Sequence, residues 1–357
     1  MSKILCLIDS LGAGGAERQL SYLAILLHKS GHDVKFVAFT QNNKFYETFL
    51  KKGGISPIYN EKGTNRWHRI WEIIKIIKLF HPDLTIAYKD GVCISAIFAK
   101  LILNFKLVVS ERSTTPKLSN KEKIKLFLYR FANYIVPNSY SQAAVIKKFS
   151  PRLSHKIKVI GNTLDVNLFY PNKTYVSNTI PNIVTTARIN RIKNIINFLR
   201  AIAIVKERGI KCHFDWYGKK DPGDSYPNEV DDEIQRLNIN DYISFHSATN
   251  NVADVYRRAD FFCLPSVIEG FPNVICEAMA SGLPIVCSNI CDNPYIVESG
   301  INGFLFDPEK PDDIAEKLIA MLKYTAYDKE RMGKENRKKI VDICSPEKFV
   351  ENYLSLI

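Results

Sequence analysis

The sequence lacks the features that mark several large classes of protein. No run of about 18 uncharged apolar residues occurs, so no membrane-spanning helix is predicted. The apolar stretch at the N-terminus is too short for a signal peptide and is predicted to be a first strand. The eight cysteines include no Cys-x-x-Cys pair, and the closest two, Cys287 and Cys291, have no histidine nearby. We therefore expect neither a disulfide scaffold nor a zinc site, and the cysteines indicate reduced core residues of a cytoplasmic protein.

Negative charge is scarce in the first half of the chain. Residues 1–172 hold 26 Lys and Arg against 11 Asp and Glu, a balance of +15, whereas the remainder carries −3 of the total of +12. Such asymmetry is typical of contact with nucleic acid, an anionic membrane or an anionic substrate, although solubility alone also explains it. No arginine-rich run, zinc finger or aromatic RNA-binding motif is present. The charge therefore favours an anionic membrane surface or acceptor over nucleic acid.

A chain of 357 residues is long enough for two domains. Short β-branched runs alternate with longer amphipathic segments throughout, which predicts α/β domains with parallel sheets and crossover helices. The predicted strands are Lys3–Ile8, Asp33–Phe39, Ile55–Tyr59, Leu84–Tyr88, Lys106–Ser110, Tyr134–Pro137, Ile157–Ile160, Asn182–Thr186, Cys212–Tyr217, Ile243–His246, Phe261–Leu264, Pro284–Cys287 and Gly303–Phe306.

The polar, helix-breaking stretch Tyr170–Thr174 predicts a hinge between the two domains. We expect Rossmann-like domains at 1–172 and 173–340, facing each other across a cleft at the carboxyl ends of their strands. A helix at 341–357 follows, for which packing back on the first domain is one option.

The segment Arg66–Phe80 is the most amphipathic and aromatic of the predicted helices. Cationic residues beside Trp67 and Trp71 suit a helix that lies on a membrane. The spacing of its isoleucines is also that of an ordinary crossover helix, which we favour. The basic stretch Lys117–Lys125 is a second candidate surface.

The stretch Leu264–Gly282 is the most informative in the chain. It places Glu269 in a loop rich in Gly and Pro, and Glu277 in a helix that Pro272 can start. Backbone N–H groups at the start of that helix would face an anion, and the two acids would face hydroxyl groups. An ordinary loop and helix, with Glu277 favoured by the helix dipole, is the alternative.

Glycines follow the first strand in the sequence Gly12-Ala13-Gly14-Gly15-Ala16-Glu17. Because Glu17 stands where the dinucleotide fingerprint has its third glycine, an NAD site is not expected. Glycines at this place let a ligand approach the backbone and the helix N-terminus closely, although a tight strand-to-helix turn also explains them.

Two cations follow the first predicted strand of the second half. Arg188 ends that strand and Lys193 comes five positions later, before a helix. If this sheet binds ligands at its carboxyl edge, both can hold a diphosphate and stabilise the charge of a departing phosphate. Taken alone, such a pair is more often solvated surface.

Together these motifs resemble family 4 of the retaining glycosyltransferases, which have the two-domain GT-B fold. Glu269 and Glu277 look like the family's paired acids. Arg188 and Lys193 look like the cations that bind the donor phosphates in this family, and Gly14-Gly15 resembles its glycine loop. Asn162–Asp165 and Asn302–Leu305 resemble two further family signatures.

The resemblance implies catalytic roles for Arg188, Lys193 and Glu269, and ribose binding by Glu277. It also implies that the donor is bound by Gly14, Gly15, Gly270, Phe271, Pro272 and Asn273.

Two segments depart from the family pattern. Many members carry a histidine where this chain has Val109–Pro116, a variant similar to enzymes that build bacterial surface polysaccharides on lipid carriers. Glu111 and Arg112 are therefore candidates for acceptor binding. The segment Gly218–Gly223 replaces the family's Gly-x-Gly turn, which leaves the contacts to the nucleotide base open.

The sequence thus predicts a glycosyltransferase that moves a sugar from a nucleotide diphosphate donor to a glycan acceptor with retention of configuration. The nucleotide expected is UDP. Because no Asp-x-Asp motif occurs, we expect no metal and no other cofactor. A lipid-linked acceptor at the cytoplasmic face of a membrane fits the basic first half, and a free sugar acceptor is also possible in principle. A UDP-sugar 2-epimerase and a non-catalytic nucleic-acid-binding protein are the alternatives.

Overall fold

The computed structural model describes residues 1–41, 43–60, 65–112, 119–172, 178–221 and 223–357. The chain forms two compact units, one of Met1–Thr163 with Pro346–Ile357 and one of Leu164–Ser345. The divisions therefore fall after residues 163 and 345, where the sequence suggested 172 and 340. Residues 173 and 174 of the predicted hinge lie outside the described part of the chain.

The first unit is built on a six-stranded sheet in which every pair of neighbouring strands is parallel. Its strands are β1 (Lys3–Ile8), β2 (Asp33–Ala38), β3 (Ile58–Tyr59), β4 (Leu84–Tyr88), β5 (Leu107–Glu111) and β6 (Tyr134–Pro137). Its helices up to residue 163 are α1 (Gly15–Lys29), α2 (Glu47–Lys52), α3 (Arg66–Phe80), α4 (Asp90–Ile102), α5 (Asn120–Tyr129) and α6 (Tyr140–Phe149), with a 3-10 helix at Pro151–Lys156.

The second unit repeats this plan with a second six-stranded parallel sheet. Its strands are β7 (Asn182–Thr186), β8 (His213–Tyr217), β9 (Ile243–His246), β10 (Phe261–Leu264), β11 (Ile285–Ser288) and β12 (Gly303–Phe306). Its helices are α7 (Ile195–Glu207), α8 (Tyr226–Leu237), α9 (Val252–Arg258), α10 (Asn273–Ala280), α11 (Asn293–Ile296), α12 (Pro311–Leu322) and α13 (Ala326–Ile343), and a 3-10 turn spans Arg191–Lys193.

The strand order is the same in both sheets, namely β3-β2-β1-β4-β5-β6 and β9-β8-β7-β10-β11-β12. The order reverses between β1 and β4 in the first sheet and between β7 and β10 in the second. Doubly wound sheets bind ligands at the carboxyl ends of the strands beside this reversal. The predicted pair of Rossmann-like α/β domains is thus confirmed, and the fold itself points to the loops that follow these four strands.

One predicted strand is wrong. The run Ile157–Ile160 forms a single bridge, between Ile157 and Ile135 of β6. Lys158 and Ile160 donate backbone hydrogen bonds to the carbonyls of Ile135 and Pro137 in β6. This pairing is too limited to form a strand.

The last helix, α14 (Pro346–Leu354), belongs to the first unit. Phe349, Val350 and Tyr353 are buried in a cluster with α1 and the sheet. The opposite face of the sheet is covered by α3, α4 and α5, whose buried residues share another cluster. Ile70, Ile73, Ile74 and Ile77 all lie in it, as the crossover-helix interpretation predicts.

Candidate active site

Two loops meet at the strand-order reversal of the second sheet. One follows β7 and contains Arg188 and Lys193, and the other follows β10 and contains Glu269. The backbone N–H of Val267 donates to the carbonyl of Ile192 over 2.9 Å, which ties the loops together. Since β7 and β10 are adjacent strands, residues that are far apart in sequence are held at one edge of the sheet.

Lys193 and Glu269 form an ion pair within this loop junction. The Nζ of Lys193 lies 2.5 Å from the Oε1 of Glu269, and their side chains are only 17% and 12% exposed. Asn194, which follows the 3-10 turn, has a left-handed backbone with φ of 55° and donates from its side chain to the carbonyl of Pro308 over 2.6 Å. This fixed reversal of the chain holds Lys193 beside the second loop. The structure therefore brings together two of the three predicted catalytic residues.

Arg188 is placed differently. Its side chain is 66% exposed, and its guanidinium lies 3.8 Å from the carboxylate of Asp221. At that distance the pair is a weak surface interaction, which leaves the guanidinium available to solvent or to an anion. Arg188 and Lys193 thus lie in the same loop after β7, but Arg188 faces Asp221 and Lys193 pairs with Glu269.

The predicted donor-binding residues of the second unit lie at the start of α10. Pro272 is buried and occupies the position before the first helical residue, and no side chain caps this N-terminus. Gly270, Phe271 and Asn273 are partly exposed, whereas Glu277 is buried in α10 itself. A helix N-terminus without a side-chain cap favours an anion at its N–H groups.

Two buried polar atoms in the same loops have no hydrogen-bond partner among the described residues. They are the hydroxyl of Ser266, after β10, and the side-chain carbonyl of Asn190, after β7. Buried polar atoms are nearly always satisfied, so such exceptions call for an explanation. A polar ligand held between the loops would supply partners for both.

Gly218 is required by a close backbone approach at the end of β8. A Cβ at this position would lie 1.9 Å from the carbonyl oxygen of Ala187, the residue before Arg188.

We expect Gly218→Ala to lower the free energy of unfolding by about 3 kcal/mol, because the ends of β7 and β8 must separate. Gly223→Ala is the control, since a Cβ there meets no atom within 4 Å and only its φ of 78° opposes the change. Equal unfolding temperatures for the two variants would contradict this reading. Pro222 lies outside the described residues.

In the first unit, the glycine loop is built around an ion pair. Gly14 precedes the first residue of α1, Gly15, and a Cβ on Gly14 would lie 2.3 Å from the Oε2 of Glu17. Glu17 is buried, and its Oε1 lies 2.5 Å from the Nζ of Lys89. Lys89 follows β4 with φ of 71°, a conformation that costs a non-glycine residue free energy and is concentrated at functional sites.

Sequence reasoning missed two charged residues at the corresponding edge of the first sheet. Besides Lys89, it overlooked Asp9, which follows β1 and lies 2.9 Å from the guanidinium of the buried Arg69. The signal was available, because Asp9 and Lys89 each come directly after a buried strand on either side of the strand-order reversal.

Glu111 is buried, and the Nζ of Lys125 lies 2.7 Å from its Oε2. Lys125 also lies 3.2 Å from Asp90. Burial raises the pKa of Glu111 to about 7, against the opposing effect of Lys125. The carboxylate therefore lies beneath the surface at the end of β5 and is held by the protein's own lysine.

Arg112 is also held by the protein. Its guanidinium donates to Ser110 over 2.8 Å, to Asn162 over 2.6 Å and to the hydroxyl of Tyr353 in α14 over 2.7 Å. It donates to the hydroxyl of Tyr88 as well, and stacks on that ring. Both side chains are thus engaged within the first unit, and acceptor binding by Glu111 and Arg112 stays a prediction. Residues 113–116 of the variant segment lie outside the described residues.

The raised pKa of Glu111 gives a testable pH dependence. The folded protein keeps a proton that the unfolded chain releases near pH 4.5, so the free energy of unfolding falls as pH rises from there to about 7. Glu111→Gln has no such proton. We expect calorimetry to show the wild type losing up to about 3 kcal/mol more stability than the variant across this range. Parallel curves for the two proteins would contradict the assignment.

No three His, Cys, Asp or Glu side chains in the described part of the chain are grouped so that they could hold a metal ion. Among the described helices, none is both long and apolar enough to cross a bilayer.

Comparison with known families gives two matches. A model described as "Glycosyltransferase Family 4" matches residues 13–168, and one described as "Glycosyl transferases group 1" matches residues 180–324. Each match falls within one half of the chain, and together the two span most of it.

Similar proteins of known sequence or structure include bacterial glycosyltransferases. The chain is 25% identical over 348 residues to the Campylobacter jejuni "GalNAc-alpha-(1->4)-GalNAc-alpha-(1->3)-diNAcBac-PP-undecaprenol alpha-1,4-N-acetyl-D-galactosaminyltransferase", covering 95% of this chain and 94% of that one. A Rickettsia africae glycosyltransferase structure superposes with a TM-score of 0.86 at 16% identity, over 99% and 97% of the two chains. Anabaena Alr3699/HepE, solved with UDP and glucose, gives 0.85 at 20% identity over 99% of both.

Proposed function

Since the chain belongs to glycosyltransferase family 4 and has the GT-B fold, we propose that it transfers a sugar, with retention of configuration, from a UDP-linked donor to a hydroxyl of a lipid-linked glycan. The donor lies in the second unit and needs no metal ion. The acceptor binds to the first unit.

The Lys193–Glu269 pair at the reversal of the second sheet carries this proposal. A largely buried ammonium, paired with the loop that leads into an uncapped helix N-terminus, is suited to a diphosphate, and the neighbouring carboxylate is suited to sugar hydroxyls. The exposed guanidinium of Arg188 moves from Asp221 to the same phosphate when the donor binds. The buried Glu277 accepts hydrogen bonds from the ribose.

The reaction exchanges one bond at the anomeric carbon for another on the same face. The bond from that carbon to the β-phosphate oxygen breaks, and a bond to the acceptor oxygen forms. The acceptor proton passes to the departing phosphate, which therefore acts as the base. Lys193, Arg188 and the N–H groups near Pro272 stabilise the negative charge that develops on this phosphate. Glu269 orients the sugar.

The lipid-linked acceptor is supported by two observations. The Campylobacter relative is named for an acceptor on undecaprenol diphosphate, and the first half of this chain carries a net charge of +15. We propose that the protein works at the cytoplasmic face of the membrane.

Purified protein incubated with a panel of nucleotide sugars tests the donor. We expect slow release of UDP from one UDP-sugar without acceptor, at the same rate with excess EDTA as with Mg²⁺. Conversion of the UDP-sugar into its 2-epimer would establish the epimerase instead. Release that requires Mg²⁺ would overturn the metal-free site.

A further inference from the structure

The outer face of α3 exposes large apolar side chains together with cations. Trp67 and Trp71, one helical turn apart, are 70% and 63% exposed, and Leu79 at the other end is 72% exposed. The remaining exposed residues of this helix are Arg66, Lys75 and Lys78. The inner face packs its isoleucines into the core, so the tryptophans are not needed to hold the helix in place.

The outer face of α5 and the turn after it has the same chemistry. Ile124 and Phe127 are exposed, and Phe131 is partly so. The cations beside them are Lys121, Lys123 and Arg130, and Arg130 stacks on the ring of Phe127. Both helices are described in full, and neither has an exposed Asp or Glu.

The two faces belong to one layer of helices. α4 packs against both α3 and α5, and all three helices cover the same side of the sheet. The first residues of α4 lie against both neighbours, because a Cβ on Gly91 would lie 3.2 Å from Arg69 in the first turn of α3 and Asp90 lies 3.2 Å from Lys125 in the middle of α5. The N-termini of the three helices follow strands β3, β4 and β5, so the tryptophan end of the layer borders the carboxyl edge of the sheet.

We propose that this face, formed by the exposed residues of α3 and of α5 through Phe131, docks on an anionic phospholipid bilayer. Exposed Trp, Phe and Ile enter the headgroup boundary, while the six exposed cations of α3, α5 and the turn after it outnumber the exposed Asp90 of the intervening α4 and meet the negative surface. A second copy of this chain is a poorer partner, because two such faces would bring twelve exposed cations together against few acids. Membrane docking itself does not depend on the proposed function. Only its purpose rests on that function: docking would bring a lipid-linked acceptor to the carboxyl edge of the first sheet.

The three tryptophans permit a direct test. Trp216 is fully buried, whereas Trp67 and Trp71 are exposed. Added phosphatidylglycerol vesicles should shift the tryptophan emission of the wild type to shorter wavelength, and brominated lipid should quench it. Neither effect should occur in W67F/W71F, which retains only Trp216. Phosphatidylcholine vesicles should produce neither effect in any of these proteins.

Vesicle flotation gives the matched comparison. We expect Trp67→Ala/Trp71→Ala/Phe127→Ala and Lys75→Glu/Lys78→Glu each to reduce binding about tenfold or more. The controls Tyr295→Ala/Tyr327→Ala and Arg208→Glu/Lys211→Glu change exposed residues of the second unit and should bind as the wild type does.

Failure of the wild type to bind, equal binding by the variants, or a dimer that the triple substitution dissociates would overturn the docking face. These assays contain no donor sugar. Sugar transfer without vesicle binding would thus refute this inference alone, and vesicle binding without sugar transfer would refute the proposed function alone.

Discussion

Replacement of Lys193 by alanine is expected to lower kcat by about 100- to 1000-fold, the range found when one group that stabilises a developing negative charge is removed. The ammonium lies 2.5 Å from Glu269 at the reversal of the second sheet, where the β-phosphate of the donor is proposed to depart. Its loss removes a positive charge from the leaving group and leaves Glu269 as an unbalanced negative charge beside it. Arg188→Ala is expected to reduce kcat strongly as well.

Stability separates this catalytic role from a structural one. Arg191→Ala is the control for Lys193→Ala, because Arg191 lies in the same 3-10 turn, is exposed and pairs with Glu229. It should retain near-normal turnover. The unfolding temperature of Lys193→Ala should fall by only a few degrees, since the pair lies in two loops and neither of its side chains is fully buried. Near-normal turnover in both Lys193→Ala and Arg188→Ala would defeat the assignment.

Replacement of Glu277 by glutamine is expected to weaken UDP binding by about 10- to 150-fold, the range for hydrogen bonds to a charged group. Glu277 is buried in α10, one turn beyond the proposed phosphate site. Because ribose contacts are made equally in the ground and transition states, kcat at saturating donor should change far less than the Kd for UDP.

Titration calorimetry with UDP measures this effect. Glu298→Gln, which neutralises an exposed acid of the same unit, is the control and should bind UDP normally. A Glu277→Gln variant with wild-type affinity and a large loss of kcat would reverse the roles proposed for Glu277 and Glu269.

The fold could be predicted well from the sequence, because the spacing of apolar residues indicates which segments are buried and whether they are strands or helices. Runs such as Leu84–Tyr88 are buried at every residue, as a central parallel strand requires. Ile157–Ile160 is also rich in β-branched residues but forms a single bridge, and pairing depends on where a neighbouring strand ends. Composition does not contain that information.

The candidate site was predictable in part. Glu269 and Lys193 could be placed at one sheet edge because both follow strands of a predicted parallel sheet, although they are 76 residues apart. The anchoring of Arg112 by Tyr353, 241 residues away, depends on α14 joining the first unit. No local pattern near Arg112 predicts that contact. The positive φ of Lys89 could not be predicted either, because glycine and asparagine are the residues that commonly indicate one.

A crystal structure of the protein with UDP, grown in EDTA, tests the central claim most directly. The account predicts the β-phosphate within hydrogen-bonding distance of Lys193 Nζ and of the guanidinium of Arg188, with the ribose hydroxyls on Glu277 and no ion between the phosphates. A diphosphate bound away from the loops that follow β7 and β10, or bound only when a divalent cation is added, would contradict it.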